Sequence, residues 1–458
     1  MAGLLQNQRL FGEYIPWLQA LREKGAEMFK TAGLPDAKTE AWKYTRLRNL
    51  KTDDYVMAPS NFLEELRAEA QEACTCHHEG DCGCNHEHNH QCGCGHEHCH
   101  CKPSLPFEAY VINFVDGKYM PPFPDFPRGV EVMSLMEAVL TDDARDYLGK
   151  LADIEKYPFA ALNSAYLEEG VFIRVAKNVS LDKPVVLFNH THGTEENKFY
   201  NLRNVIVMEN DSSARFIEYY TCSGAPKSRY LANIVNEVFL GRRAKLQHYK
   251  VQDEAFKAAH IALTQVRQKG CSEYESFCLQ TGADIGRNET RVILKEEGAE
   301  TEVNAAYLMS GWATLDTTTD IEHLAPETRS EQLVKGVVDG EAKGVFQGKI
   351  HIAPNAVQTE GHQLHKALLL SDAAEIDVKP ELEIFADDVK CSHGAASGEL
   401  DEEQLFYMRS RGIGLDEAKQ ILVDAYLDDV VAKISYEPVR DWVKTLLSEK
   451  NEAIHNQR

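Results

Sequence analysis

Apolar positions along this chain change their period twice. In the first 50 residues Leu18, Leu21, Ala26 and Phe29 recur at roughly helical spacing, and Gly33, Leu34 and Pro35 end the pattern. A second short helix is expected over 38–50, and an amphipathic piece over 61–73 runs directly into a cysteine- and histidine-rich tract. From about Gly170 to Val389, short runs rich in Val, Ile, Phe and Tyr replace the helical period. Examples are Val171–Val175, Val185–Phe188, Asn204–Met208, Arg215–Tyr220, Asn236–Leu240 and Arg291–Leu294. Turn signals fall between them at Asn210–Asp211, Gly241, Gly270, Gly298 and Gly340, at successive intervals of 30, 29, 28 and 42 residues from Asp211.

Strands and turns repeating at this spacing over some 200 residues predict an elongated solenoid or β-helix more than one compact sandwich. A pair of β-sandwiches is the open alternative, and the spacing does not fix the number of strands per coil. After His393 the helical period returns, with Asp401 as N-cap and Gln404 as its capping-box partner. Gly412 and Gly414 break the chain. Beyond Asp416, the positions Ala418, Ile421, Leu422, Ala425 and Tyr426 form one apolar helical face that needs a surface to lie against.

Length and charge narrow the class. With 458 residues, 43% of them apolar, the chain can bury a large core in two or three domains. A formal net charge of −23 repels phosphate backbones and anionic lipid, so nucleic acid and membrane are poor partners, and a protein or a cation is the better one. No secretory leader and no run of 18 apolar residues stands in the sequence, which reads as cytoplasmic.

Twelve cysteines are present, eight of them between Cys74 and Cys101. In a reducing compartment such clustering points to metal and not to disulfides. The tract CTCHHEGDCGCNHEHNHQCGCGHEHCHC offers Cys74, Cys76, His77, His78, Cys82, Cys84, His86, His88, His90, Cys92, Cys94, His96, His98, Cys99, His100 and Cys101 as ligands, with four acidic residues and no basic one. Its C-x-C, H-x-H and C-x-H steps lack the paired C-x₂-C and long spacer of a zinc finger, so several interchangeable sites are expected in place of one fixed tetrahedron. Glycine, asparagine and the absence of apolar residues predict disorder without metal and local order with it. The suited ions are divalent zinc, nickel, copper or iron.

A second candidate is Lys390-Cys391-Ser392-His393-Gly394. Two positions apart on an extended backbone, Cys391 and His393 share a face, and thiolate with imidazole suits iron or zinc. Two ligands cannot complete a four-coordinate centre, so a functional site here needs groups from a partner chain or from transient solvent and sulfide; simple core packing of the cysteine is the other reading. His362 and His365 read as exposed or hydrogen-bonded histidines, and Cys271 and Cys278 as structural. The stretch Gly344 to Ile350 comes one residue short of a P-loop and ends in Ile where Ser or Thr must hold magnesium.

The phrases HLAPETRSEQLVKGVVDG, KGVFQGKIHI, LLLSDAAEIDVKPELEIFADDVKCSHGA and SGELDEEQLFYMRSRGI resemble the shared core of the SufB/SufD subunits of iron–sulfur cluster assembly complexes. The segment AGLPDAKTEAWKYTRL is similar to the entry of the SufD branch. The resemblance implies an N-terminal helical region over 1–73, the Cys/His insertion at 74–101, the rest of the N-terminal region over 102–169, a mostly β core forming a right-handed parallel β-helix over 170–389, and a C-terminal helical domain over 390–458. It implies a non-catalytic scaffold that pairs with a SufB-like subunit through the β-helix, with homodimers possible in isolation. A SufC-like ATPase would dock between Asp401 and Leu447, with Leu405, Phe406, Ile421 and Leu422 as candidate contacts. By the same resemblance His393, with Cys391 in its motif, lies at the subunit interface where transient iron or a nascent cluster is shared with the partner. The resemblance does not extend to the Cys/His tract. Two rival functions follow from that tract alone, a metal-storage or metallochaperone protein and a zinc- or nickel-dependent enzyme, although a flexible glycine-rich tract lacks the rigid first shell that catalysis needs.

Overall fold

The computed structural model describes residues 10–47, 50, 55–57, 103–192, 197–222 and 229–456. The tract over 74–101 and the expected helix over 61–73 lie outside them.

Strands of this chain pair with the strand two further along, and this is what makes a solenoid. Lys245–Asp253, for example, pairs in parallel with Ser213–Cys222 on one side and Glu273–Gln280 on the other. Alternate strands therefore build two ten-stranded sheets, and each coil contributes one strand to each. The parallel β-solenoid expected from the turn spacing is the architecture observed, with two strands per coil.

The corners explain the repeat. Asn178, Asp211, Arg243, Cys271 and Gly298 all take positive φ, between 55° and 69°. They stack through backbone bonds from Asn178 N to Asn210 O, Asp211 N to Arg242 O, Arg243 N to Gly270 O and Cys271 N to Glu297 O. Asn and Asp tolerate the left-handed region, and a stacked turn compensates the strain at Arg243 and Cys271. Gly241 and Gly270, read from sequence as the turn residues, stand just ahead of these positions. Gly241 is needed for close approach, because a Cβ there would lie 2.6 Å from Asn210 N.

Helices cover both outer faces. The N-terminal set comprises α1 (Pro16–Ala32), α2 (Leu135–Leu140) and α3 (Pro158–Ala165), and the C-terminal set α4 (Glu402–Ser410), α5 (Leu415–Val431) and α6 (Glu437–Asn456). Gly33 ends α1, donating its N–H to Phe29 O. Phe159 of α3 packs on Leu231, Ala259 and Ile261 of the first sheet. Val423, Leu427, Val430, Trp442 and Val443 of α5 and α6 cover Tyr249, Val251, Phe277 and Leu279 of the second. A buried pair, Arg203 to Glu237 at 2.8 Å, fastens the connection ahead of α3, since Glu237 also accepts the N–H groups of Gly149, Leu151 and Ala152.

Four expectations need correction. Over 38–50 the described residues contain only a 3₁₀ turn, Glu40–Trp42, because tertiary anchors set its path: Trp42 lies under Arg287, and Thr45 bonds Asp316. Strand structure begins well before residue 170: Val56–Met57 pairs in parallel with Lys198–Met208, and Tyr110–Val115 joins the second sheet beside Val185–Thr191. The core also runs past 389, since Lys390–Gly398 is a strand paired with Glu360–Leu369. In α5 the buried stripe is Ala418, Val423, Leu427, Val430 and Val431, which turns Ile421, 43% exposed, and Ala425 outward.

The two ends of the solenoid differ. At the first coil antiparallel partners, Lys118–Met120 and Val130–Ser134, flank the parallel ladder. At the other end Glu375–Ile384 and Lys390–Gly398 are edge strands with no buried residue, whereas every residue of Tyr230–Leu240 is buried. An uncovered sheet edge presents unpaired backbone donors and acceptors, which proteins either blunt or pair with another chain.

Candidate functional site

Cys391 and His393 lie on this open end. In the strand Lys390–Gly398 they share one face, as the two-residue spacing predicts, and stand in register with Gly361 and Gln363 of the neighbouring strand. Ser392, on the opposite face, bonds His362 Nδ1 at 2.8 Å.

Their environments differ. Cys391 packs at the border of the apolar cluster of Ile350, Ile352, Ala356 and Ala386, and burial pushes its thiol above the ordinary cysteine range. The thiol is protonated at neutral pH and binds metal only at the cost of a proton. His393 is exposed, with its ring available at the sheet edge. Because Lys390 N bonds Thr359 O in a parallel ladder, the alternate N–H groups of Cys391, His393 and Ala395 point to the free edge. The companion edge, Glu375–Ile384, spends the Glu375 N–H on Ala342 O, and Pro380 then stands where a free N–H would be. Main-chain pairing is thus unbroken only beside Cys391 and His393.

Among the described residues no group of three or more His, Cys, Asp or Glu side chains is arranged to hold a metal ion. His365 is fully buried against Tyr307 and Phe346, on the face opposite His362, so the two histidines do not converge. Cys271 sits in a corner turn and Cys278 faces the interior beside Lys250. Gly344 to Ile350 is part of the strand Lys343–Ile352 and forms no loop ahead of a helix, so it cannot cradle phosphate. The cysteines and histidines of the 74–101 tract lie outside the described residues.

The C-terminal candidates divide by exposure. Asp401 caps α4 through the N–H groups of Glu403 and Gln404. That helix has no buried residue: Leu405 is half-buried, Phe406 is 74% exposed and Tyr407 60%. On α5, Ile421 is exposed and Leu422 half-buried.

Gln363 escaped the sequence reading. It is 2% exposed while the following Leu364 is 36% exposed, an inversion of the usual alternation directly beside His393. In HQLHKALLL that inversion leaves no mark, because the strand's facing is not known from the sequence.

Comparison with known proteins agrees with this arrangement. The SUF system FeS cluster assembly SufBD core domain matches residues 190–426, and the SufBD protein N-terminal region matches residues 5–80 and 75–187. The chain is 27% identical over 420 residues to the iron-sulfur cluster assembly protein SufD of Escherichia coli K12, covering 91% of this chain and 89% of that one. It is 28% identical over 304 residues to SufD of Bacillus subtilis 168, covering 65% and 68%. An iron-sulfur cluster assembly SufBD family protein of Synechocystis sp. is 28% identical over 424 residues, covering 90% and 86%. With the core profile spanning the coils and the open end, and the SufD relatives covering most of its length, this chain belongs to the SufB/SufD family of iron–sulfur cluster assembly proteins and is SufD-like within it.

Proposed function

We propose that the chain is a scaffold subunit whose open solenoid end pairs with a SufB-like subunit, placing His393 where iron enters and a nascent cluster is assembled between the two. The observation that carries this reading is the position of His393, exposed on an unpaired edge at the open end of the solenoid, where the companion edge strand carries Pro380. A ligand set that is incomplete within one chain is what a site shared across an interface requires. Cys391, held as a thiol, supports the site from behind the edge and ligates only if deprotonated on assembly.

ATP hydrolysis belongs, on this reading, to a SufC-like partner docked on α4 and the outward side of α5. Phe406 and Tyr407, two large exposed aromatic side chains on a helix with no buried face, support that placement. The Cys/His tract serves as an accessory metal-binding segment for zinc, nickel, copper or iron, outside the assembly site.

The test is cluster formation by the reconstituted three-subunit complex with His393→Ala. The variant folds and assembles, because an exposed edge residue carries little packing, and cluster yield falls at least about tenfold, as for loss of a metal-centre ligand or its support. An unchanged yield removes His393 from the site.

A further inference from the structure

Gln363 shares with Gln265 and Asn288 a buried amide without hydrogen-bond partners, and of the three it alone is the register neighbour of His393. Its side chain is 2% exposed, and neither Nε2 nor Oε1 has a hydrogen-bond partner. Leaving both ends of a buried amide unpaired is costly, so such a group is normally absent or reserved for a partner that arrives later.

The surroundings are built to hold it. A Cβ on Gly348, in the facing sheet, would lie 1.5 Å from Gln363 Nε2, so only glycine leaves space for the amide. On one side Gln363 is the register neighbour of Gln332, whose Oε1 accepts from Thr319 at 2.6 Å and whose Nε2 is also unpaired. On the other it is the register neighbour of His393, across one strand spacing of about 4.8 Å. Parallel register puts both side chains on the same face. In earlier coils the same inner column carries Phe216, His248, Ser276 and Val303, and His248, unlike Gln363, has both ring nitrogens bonded, to Tyr274 and Glu218.

We infer that Gln363 is a positioning residue for the His393 site. When a partner covers the open end and removes water from His393, Gln363 Oε1 accepts the N–H of one ring nitrogen. This fixes the tautomer and leaves the other nitrogen as the ligand facing iron. Metal-binding histidines are oriented in this way by an acceptor on their second nitrogen, which also raises their basicity. The inference rests on the assignment of His393 to the assembly site.

The test compares Gln363→Met, which keeps the unbranched shape without the amide, and Gln363→Glu, which keeps an acceptor, with the unsubstituted chain and with His393→Ala. All are taken as the full chain in complex with SufB-like and SufC-like subunits. For Gln363→Met the inference expects thermal stability equal to or above that of the unsubstituted chain, and a cluster yield lower by about 10–100-fold. The ¹⁵N shifts of the His393 ring should change from one tautomer to a mixture, and Gln363→Glu should recover part of the yield. A marked loss of thermal stability in Gln363→Met would show that the amide already serves the fold, and would overturn the inference. So would an unchanged yield or an unchanged tautomer while His393→Ala is impaired. If His393→Ala itself is unimpaired, the site assignment fails first.

Discussion

Tyr307 and His365 meet inside the solenoid, the phenolic oxygen 2.8 Å from Nε2, with both side chains fully buried. The imidazole also stacks on Phe346. Burial pushes His365 down to about 4, and burial does the same to His323, which bonds Thr328 and Ser330.

This pair of histidines sets an acid limit. Unfolded imidazoles take up protons near pH 6.5, whereas the folded ones stay neutral until about pH 4, so between those values the unfolded chain binds more protons. Their contribution is complete above pH 6.5 and is lost as the pH falls toward 4. Urea unfolding should show stability falling across that window by roughly 2–3 kcal/mol per histidine. His365→Gln should flatten part of the slope. A stability that stays level from pH 7 to 4.5 would contradict this.

A second prediction concerns the N-terminal segment. Trp42 is buried between Phe159, at 5.2 Å between rings, and the Arg287 guanidinium, 4.4 Å above its ring. Arg287 in turn pairs with Asp316 and Glu289. Trp42→Ala should cost about 3–5 kcal/mol, because it opens a cavity beside a buried cation that loses its aromatic cover. Denaturant titration measures this, and a loss below about 1 kcal/mol would show that the segment does not anchor the first sheet.

The solenoid was legible because its strands carry β-branched and aromatic runs. Val171–Val175 is a strand to the residue, and the other five runs singled out from sequence all lie within observed strands. Lys390–Gly398 was not legible as a strand, since KCSHGAASG has no such residue and owes its conformation to pairing with Glu360–Leu369. The pairing of Cys391 with His393 on one face was readable from spacing, but the difference in their exposure was not, because it depends on the cluster around Ile350. In α5 the apolar sequence supports more than one stripe, and only contact with the second sheet selects Val423 and Leu427 over Ile421.

The exposed aromatic pair on α4 gives a prediction that separates docking from folding. Phe406→Ala should leave the melting temperature of the free subunit within about 1 °C, since the side chain covers nothing, while weakening binding of the SufC-like ATPase at least about tenfold. Calorimetric titration reads the affinity. Unchanged affinity would move the docking surface off α4.

Removing residues 74–101 should strip several equivalents of bound divalent metal per chain, measured by elemental analysis, given eight cysteines and eight histidines in that tract. With metal supply held constant, cluster formation should persist. Its disappearance would place the tract within the assembly chemistry after all.

The central claim is that this chain works as one part of a complex whose site is completed by a partner. Purification of the tagged chain from its native cells, followed by size-exclusion chromatography and metal analysis of each peak, tests this directly. The account predicts that SufB-like and SufC-like subunits co-elute with it, and that iron is found in that shared peak. Elution of the chain alone, loaded with metal and free of both subunits, would contradict it and favour storage.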